Sequence, residues 1–244
     1  MTTMTLPTPG ASPDNATERP TFGSGRRYFD TLLNGLQTLL LQMGVETETM
    51  LRDAVTALSE QNDALTEDIL RRDDAVDALE EQIEAECLHI LTTQQPVLAS
   101  DLRIVSTVMK AITDIERIGD HTVNIARTGQ RLFLAGGLYR PLVDVPRLAD
   151  AVRQMLHDAL EAIVHRNVPL AEKVIEADTV VDAMYSRMRR DLQAQMQDDP
   201  NIVLAASHLM FVLHYLERIG DHCVGIAERS LYMQTGQTPR RDED

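Results

Sequence analysis

The amino-acid sequence predicts an all-α protein built from two tandem, homologous three-helix bundles. Three features predict this fold: a helix-favouring composition, apolar residues at three- and four-residue spacing, and a pattern that occurs twice. Apolar residues make up 43% of the 244 residues, aromatic residues only 4%, and Trp is absent. Alanine, leucine and charged residues prevail over the β-branched and aromatic types that strands prefer, so helix is favoured over sheet.

The apolar spacing predicts six helices. Residues that favour turns mark their limits, among them Asn62, Pro96, Gly136, Asn167 and Pro200. Helices of this length joined by short loops pack as antiparallel neighbours, so each copy is expected to form an up-down-up bundle. The predicted helices span residues 26–60, 63–93 and 97–134 in the first copy and 145–165, 168–197 and 200–233 in the second.

An internal repeat relates the two halves of the chain. The segment that begins at Ala54 matches the segment that begins at Ala159, and Asn62 pairs with Asn167 in this alignment. Further along, the hexapeptide Glu-Arg-Ile-Gly-Asp-His occurs at 116–121 and again, letter for letter, at 217–222. The same layout in both copies predicts the same bundle twice.

The ends of the chain lack the apolar periodicity of the repeat. The N-terminal residues are rich in Thr, Pro, Ala and Ser, a composition that cannot bury enough apolar surface to fold. No signal peptide is recognisable, and no window approaches about 18 continuous apolar residues, so a cytoplasmic protein is expected. The predicted organisation is a disordered leader (1–22), a first bundle (23–135), a linker (136–144), a second bundle (145–233) and a flexible tail (234–244).

Charge and cysteine content exclude several classes of protein. The chain has 38 acidic and 23 basic residues and a formal charge of −15, which would repel a nucleic acid backbone, and no strong basic patch offsets it. Cys87 and Cys223 lie far apart within helical segments, which argues against a disulfide framework and favours buried, apolar roles. Nucleic acid is therefore not an expected partner.

The doubled hexapeptide is the strongest functional signal. Glu116 and Asp120 are four residues apart on one helical face, as are Glu217 and Asp221. Paired carboxylates are hard oxygen ligands for Mg²⁺, Mn²⁺ or iron, and we predict a metal site at each pair. The alternative is a solvated surface on which the intervening arginine pairs with the aspartate, an arrangement worth little energy.

A glycine inside each hexapeptide favours the metal site over that alternative. Gly119 and Gly220 lie within long helical patterns, where glycine costs about 1 kcal/mol relative to alanine. A helix that needed only a surface ion pair would not need this residue. We expect the missing side chain to make room for a neighbouring helix or for an ion beside the carboxylates.

A second acidic set lies on the middle helix of each copy, and an antiparallel neighbour would bring it opposite the hexapeptide. Its alternative interpretation is an ordinary solvated acidic face, and Tyr185 replaces Glu80 in the second copy. His121 and His222 lack the Glu-x-x-His spacing of di-iron carboxylate enzymes, which disfavours such an enzyme, and no catalytic residue is predicted. The weaker candidate ligands are Asp73, Asp77 and Glu80 in the first copy and Asp178 and Asp182 in the second.

Three segments together resemble the PhoU family: Asp-Ile-Glu-Arg-Ile-Gly-Asp-His-Thr-Val-Asn-Ile-Ala at 114–126, Leu-Glu-Arg-Ile-Gly-Asp-His-Cys-Val-Gly-Ile-Ala at 216–227, and Gln-Pro-Val-Leu-Ala-Ser-Asp-Leu-Arg at 95–103. The resemblance extends from about Tyr28 to Tyr232. It implies a PhoU-like pair of bundles with the spectrin-like up-down-up order. It also implies that Glu-x-x-x-Asp motifs hold multinuclear iron or zinc clusters, or magnesium or manganese.

The same resemblance implies a regulatory role without catalysis. PhoU proteins contact the ATP-binding cassette phosphate transporter, through its ATPase subunit, and the sensor histidine kinase of the phosphate two-component system, and keep both quiet when phosphate is plentiful. The expectation is a negative regulator and adaptor that is not embedded in the membrane but reaches it through its partners; a homodimer is compatible with it. The rival expectation is a metal-free adaptor whose acidic faces bind basic partner surfaces directly.

The two copies also depart from each other near the hexapeptides. Asp114 of the first copy becomes Tyr215 in the second, and Asn124 becomes Gly225. The two sites are therefore not expected to be identical in nuclearity or occupancy.

Overall fold

The computed structural model describes residues 22–93, 98–134 and 143–237, with side chains from Tyr28 onward. A 3-10 turn, Pro200–Ile202, leads into the last helix, and the described residues contain no strand. The all-α prediction is thereby confirmed. The six helices are α1 (Phe22–Glu60), α2 (Asp63–Thr93), α3 (Ala99–Leu134), α4 (Val145–Val164), α5 (Val168–Asp198) and α6 (Val203–Thr235).

Six helix ends differ from the sequence prediction by one to four residues, and those of the first and last helices bear on the predicted leader and tail. The first helix begins at Phe22 instead of residue 26, and no proline follows Pro20 to interrupt it. The last helix runs to Thr235, into the predicted tail, and stops where Gly236 adopts a left-handed φ of 70°. The remaining parts of the predicted leader, linker and tail, residues 1–21, 135–142 and 238–244, lie outside the described residues, as does the loop at 94–97.

The same joint connects the first and second helices of each copy. Gln61 and Arg166, which follow α1 and α4, adopt left-handed φ angles of 57° and 53°. The next residue, Asn62 or Asn167, caps the following helix, and its side-chain oxygen accepts a backbone N–H from three residues later at 3.1 and 3.2 Å. The repeat therefore reproduces a local structure as well as a sequence.

Four helices form a closed ring at the centre of the molecule. The contacts run from α1 to α3, from α3 to α6, from α6 to α4 and from α4 back to α1. The middle helices pack outside this ring, with α2 on α1 and α3, and α5 on α4 and α6. Gly44 lets α1 approach α4 closely, since a Cβ there would lie 2.5 Å from Leu160 Cδ1.

The helices α3 and α6 run antiparallel along the contact between the two bundles. Asp114 of α3 lies against His222 and Arg229 of α6, whereas His121, further along α3, stacks on Tyr215, which is earlier on α6, at 5.8 Å between ring centroids. Along this contact, residue numbers therefore increase on one helix while they decrease on the other. We call this contact the α3–α6 seam.

A buried carboxylate holds the seam together. Asp114 is 8% exposed; its Oδ2 accepts a hydrogen bond from Arg229 Nε at 2.7 Å, and its Oδ1 lies 3.1 Å from His222 Nδ1. Burial alone would raise the pKa of Asp114, but its partners His222 and Arg229 outweigh burial and hold the pKa below its usual value. A Cβ at Gly225 would lie 3.2 Å from Asp114 Oδ2, so the glycine leaves the carboxylate its space.

The apolar character of α6 is explained by its position. Among the described residues, the segment Pro200–Thr235 is long and apolar enough to cross a membrane by length and mean hydropathy (1.4), although only 33% of its apolar window is buried. This helix packs against α3, α4 and α5, and residues such as Leu213 and Ile226 are fully buried. A central helix of a folded domain passes the same test.

We predict that Asp114→Asn lowers the free energy of unfolding by about 2 kcal/mol, because it leaves the Arg229 guanidinium without its counter-charge and weakens the contact with His222. The loss should stay below that of a fully enclosed pair, since the Arg229 side chain is 32% exposed and can be hydrated. Urea unfolding followed by circular dichroism measures it.

The control for this prediction is Asp68→Asn, which removes the surface pair of Asp68 with Arg71 at 2.9 Å and a longer contact with Arg72 at 3.7 Å, while Arg72 keeps Glu46 and Asp53 as partners. That pair is exposed, so the control should cost less than about 1 kcal/mol. Equal losses in the two variants would contradict a special role for Asp114.

Candidate metal-binding faces

The acidic stripe of each middle helix lies opposite the hexapeptide glycine of the same copy. A Cβ at Gly119 would lie 3.4 Å from Asp73 Oδ1, and a Cβ at Gly220 would lie 3.4 Å from Asp178 Oδ1. The antiparallel packing therefore brings the two acidic sets together, as the sequence suggested. We call these surfaces the first face (Asp73, Asp77, Glu80, Glu116 and Asp120) and the second face (Asp178, Asp182, Glu217 and Asp221).

The carboxylates of the first face repel one another. Burial, together with the nearby charge of Asp120, raises the pKa of Glu116 to about 7, and burial with Asp77 and Asp120 raises that of Asp73 to about 6. Burial is also the largest cause of the raised pKa of Asp77 and of Glu80. The carboxylates are thus held close together and partly desolvated, so a cation placed among them would relieve the repulsion.

The second face contains an orphaned acceptor. Burial and the charge of Asp221 raise the pKa of Glu217. Its Oε2 is buried and has no hydrogen-bond partner, which is costly for a carboxylate oxygen. An ion bound at this face would supply the missing partner.

Arginines compete for the same oxygens. Arg117 contacts Glu116 Oε2 at 3.3 Å and Asp120 Oδ2 at 2.9 Å, and Arg218 contacts Asp221 Oδ2 at 2.8 Å. About half of each arginine side chain is exposed, so these pairs are weak. Within the described parts of the chain, no three His, Cys, Asp or Glu side chains are grouped to hold one metal ion as they stand. Ion binding would therefore require rotation of these side chains.

The glycines are not required for helix packing. Besides Asp73 Oδ1, a Cβ at Gly119 would meet Val76 Cγ1 at 3.7 Å, and both distances are ordinary van der Waals contacts. Alanine would fit in the fold and would favour the helix. The sequence suggested two roles for these glycines. Room for a neighbouring helix is not needed here, so the role that is left is to provide space beside the carboxylates.

The histidines of the hexapeptides lie in the α3–α6 seam, and both cysteines of the chain are buried. His121 and His222 lie in the seam with their ring centroids 5.6 Å apart, and burial lowers the pKa of His121 to about 4. Both cysteines are buried and unpaired, and burial raises the pKa of each thiol, to about 12 for Cys87. The cysteines are buried, as the sequence indicated, whereas both histidines are only partly buried and His121 Nδ1 has no hydrogen-bond partner.

Sequence reasoning overlooked two features. The first is the cluster around Asp114. The signal for it is an acidic residue on the same helical stripe as the apolar Ala111, Ile118 and Ile125, because a charge at such a position is normally buried together with a partner. The other is His214, whose Nδ1 lies 3.4 Å from Glu217 Oε2 beside the second face. Nothing in the hexapeptide itself points to His214.

Comparison with known proteins identifies the family. The family model of the PhoU domain matches this chain twice, over residues 40–128 and 145–230. The chain belongs to the PhoU family.

Known PhoU proteins resemble the chain over most of their length. The phosphate-specific transport system accessory protein PhoU homolog of Clostridium acetobutylicum is 35% identical over 213 residues, which are 87% of this chain and 96% of that protein. The crystal structure of PhoU from Pseudomonas aeruginosa superposes with a TM-score of 0.81 at 34% identity, covering 86% of this chain and all of the other. For the phosphate transport system regulatory protein PhoU of Streptococcus pneumoniae the TM-score is 0.79 at 26% identity, with 87% and 100% covered.

We predict that Glu116→Gln removes a pH-dependent loss of stability. Burial and the charge of Asp120 raise the folded-state pKa of Glu116 from its ordinary value of 4.5 to about 7. Its stabilising contribution is therefore complete at pH values below the unfolded pKa and is lost as the pH rises through 7. In EDTA, the stability of the variant relative to wild type should increase from pH 4.5 to pH 7.5, as measured by urea unfolding; the exposed Glu60→Gln should show no such trend, and parallel curves for Glu116→Gln would contradict the assignment.

We also predict that Gly119→Ala stabilises the metal-free protein by up to about 1 kcal/mol, because alanine favours helix and its methyl group meets no clash. Gly44→Ala is the matched control, since its methyl group would collide with Leu160 and should destabilise by about 1–3 kcal/mol. Thermal or urea unfolding in EDTA distinguishes the two. Destabilisation by Gly119→Ala would show that packing requires this glycine.

Proposed function

We propose that this PhoU protein is a negative regulator of high-affinity phosphate uptake and of phosphate-starvation signalling, acting in the cytoplasm as a metal-binding adaptor between the transporter ATPase and a sensor histidine kinase. Family membership supports the phosphate-transport part of the proposal, because relatives carry the name of phosphate-specific transport system accessory protein. The observation that carries the metal-binding part is that each copy has a partly desolvated carboxylate face, in which the acids of the middle helix lie opposite the hexapeptide.

Three features of the faces fit a bound cation. The buried Glu217 Oε2 lacks a hydrogen-bond partner, burial and the neighbouring Asp120 raise the pKa of Glu116, and Gly119 leaves open the space beside Asp73. All carboxylate donors are hard oxygen ligands, suited to magnesium or manganese and accepted by iron or zinc. The residues that would hold the ions are Glu116, Asp120, Glu217 and Asp221, supported by Asp73, Asp77, Glu80, Asp178 and Asp182.

Bound ions would neutralise the faces and present positive charge on an otherwise acidic surface. The chain's own residues set the spacing of the carboxylates, since α2 and α5 are held against α3 and α6 by buried residues such as Val76 and Val181. No catalytic step is part of this proposal. The adaptor role needs only two stable faces on a rigid helical body.

The second candidate function is a metal-free adaptor whose acidic faces bind basic surfaces of partners directly. The pairing of Arg117 and Arg218 with hexapeptide aspartates favours it, because an arginine of a partner could replace these weak internal partners. Both candidates use the same residues. They differ in whether a chelator abolishes partner binding.

We predict that the wild-type protein purified in metal-replete medium contains iron, zinc or manganese, and that the variant Glu116→Gln, Asp120→Asn, Glu217→Gln, Asp221→Asn contains none. Elemental analysis measures the metal content, and circular dichroism checks that both proteins remain helical. Binding of the transporter ATPase and the kinase cytoplasmic domain, with and without EDTA, should follow the metal content.

A matched control replaces four exposed acids outside both faces: Glu60→Gln, Asp63→Asn, Glu172→Gln and Asp191→Asn. This control removes as much charge and should keep its metal and its partners. If wild type and both variants are equally free of metal, and EDTA leaves partner binding intact, the metal-free adaptor replaces the present proposal.

A further inference from the structure

The two faces differ by a paired replacement. In the first face, the Thr113 hydroxyl donates to Glu80 Oε1 of the neighbouring helix at 3.3 Å. The repeat places His214 at the position of Thr113 and Tyr185 at the position of Glu80. The second face has therefore exchanged one carboxylate for one imidazole, and with His214 it has five potential metal donors, the same number as the first.

His214 is placed to join the second face. Its Nδ1 lies 3.4 Å from Glu217 Oε2, the buried oxygen that has no hydrogen-bond partner. The imidazole is half exposed, and its ring centroid lies 6.1 Å from that of Tyr215. The ring can thus turn toward an ion without disturbing the core.

We propose that His214 is a nitrogen ligand of the second face, and that the two faces of this protein consequently select different metals. This inference rests on the metal-binding part of the proposed function. A set of carboxylates alone suits magnesium or manganese, whereas imidazole with carboxylates suits zinc and iron. The first face, which is all oxygen, should take the harder ion, and the second face should take zinc or iron in preference to magnesium.

The competing explanation is that His214 only pairs with Glu217 across one helical turn. An exposed pair at this spacing is common and weak. That explanation leaves the exchange of Glu80 for Tyr185 without a counterpart, since the second face would then have lost a donor and gained none. It also predicts equal metal preference at the two faces.

The experiment isolates the second face in the full chain by disabling the first with Glu116→Gln and Asp120→Asn. In this background, His214→Thr copies the residue that the first face uses at the same position, and His208→Thr is the control on the same helix. Zn²⁺ and Mn²⁺ are titrated separately by calorimetry. His214→Thr should weaken Zn²⁺ binding at least about tenfold, the scale on which changes around a metal site act, while affecting Mn²⁺ much less.

A spectroscopic measurement tests ligation directly. The Co²⁺-loaded protein should show a strongly shifted, solvent-exchangeable imidazole N–H signal in its proton spectrum, which His214→Thr removes and His208→Thr keeps. Retention of that signal in His214→Thr, or an unchanged preference for zinc over manganese, overturns the role of His214 while the metal-binding proposal stands. Absence of metal binding to the isolated second face before His214 is changed overturns the inference, and if the intact chain also binds none, the metal-binding part of the proposed function falls with it.

Discussion

The contact between α3 and α6 is the constraint on which the rest of the structure depends. Each of these helices packs against three others, so that only a narrow strip of its circumference remains exposed. The hexapeptides lie on these two helices. The hexapeptide residues that are not buried fall on the exposed strip of the helix, beside α2 in the first copy and beside α5 in the second. The position of the candidate sites is therefore a result of how the ring of four helices closes, with the acidic middle helices added on its two outer sides.

Packing of the middle helices onto this ring has an electrostatic cost. Packing α2 against α3 places Asp73 next to the strip that carries Glu116 and Asp120, and burial, together with the charges of neighbouring carboxylates, raises the pKa of Asp73 and of Glu116. Apolar burial in the same contact holds the helices together in spite of this cost, since Val76, which lies beside Gly119, and Ile115 are fully buried. A fold that carries such repulsion in both copies favours a positively charged occupant at each, whether an ion or a partner.

The sequence predicts the fold well because its signals are local and doubled. The asparagine caps at Asn62 and Asn167 and the three- and four-residue apolar spacing identify the helices, and the repeat then predicts the second bundle from the first. The antiparallel order of the helices also predicts that the acidic middle helix faces the hexapeptide of the same copy. What the sequence does not reveal is the ring, because the contact of α3 with α6 joins residues about a hundred positions apart, such as Asp114 and Arg229, with no local signal to connect them.

The sequence repeat does not predict how the two copies differ at the seam. An exact repeat would place identical residues on both sides of the seam, yet Asp114 lies against His222 while the repeat-related contact is the stacking of Tyr215 on His121. If the same charged contact occurred at both equivalent positions of the seam, it would add a second buried ion pair, with its desolvation cost, for little further gain. One charged contact fixes the register of the helices, and the aromatic contact fills the matching space without that cost. The two faces differ in the same way, since His214 and Tyr185 of the second copy replace Thr113 and Glu80 of the first. The two halves of the chain therefore differ in side-chain chemistry while their backbones remain alike.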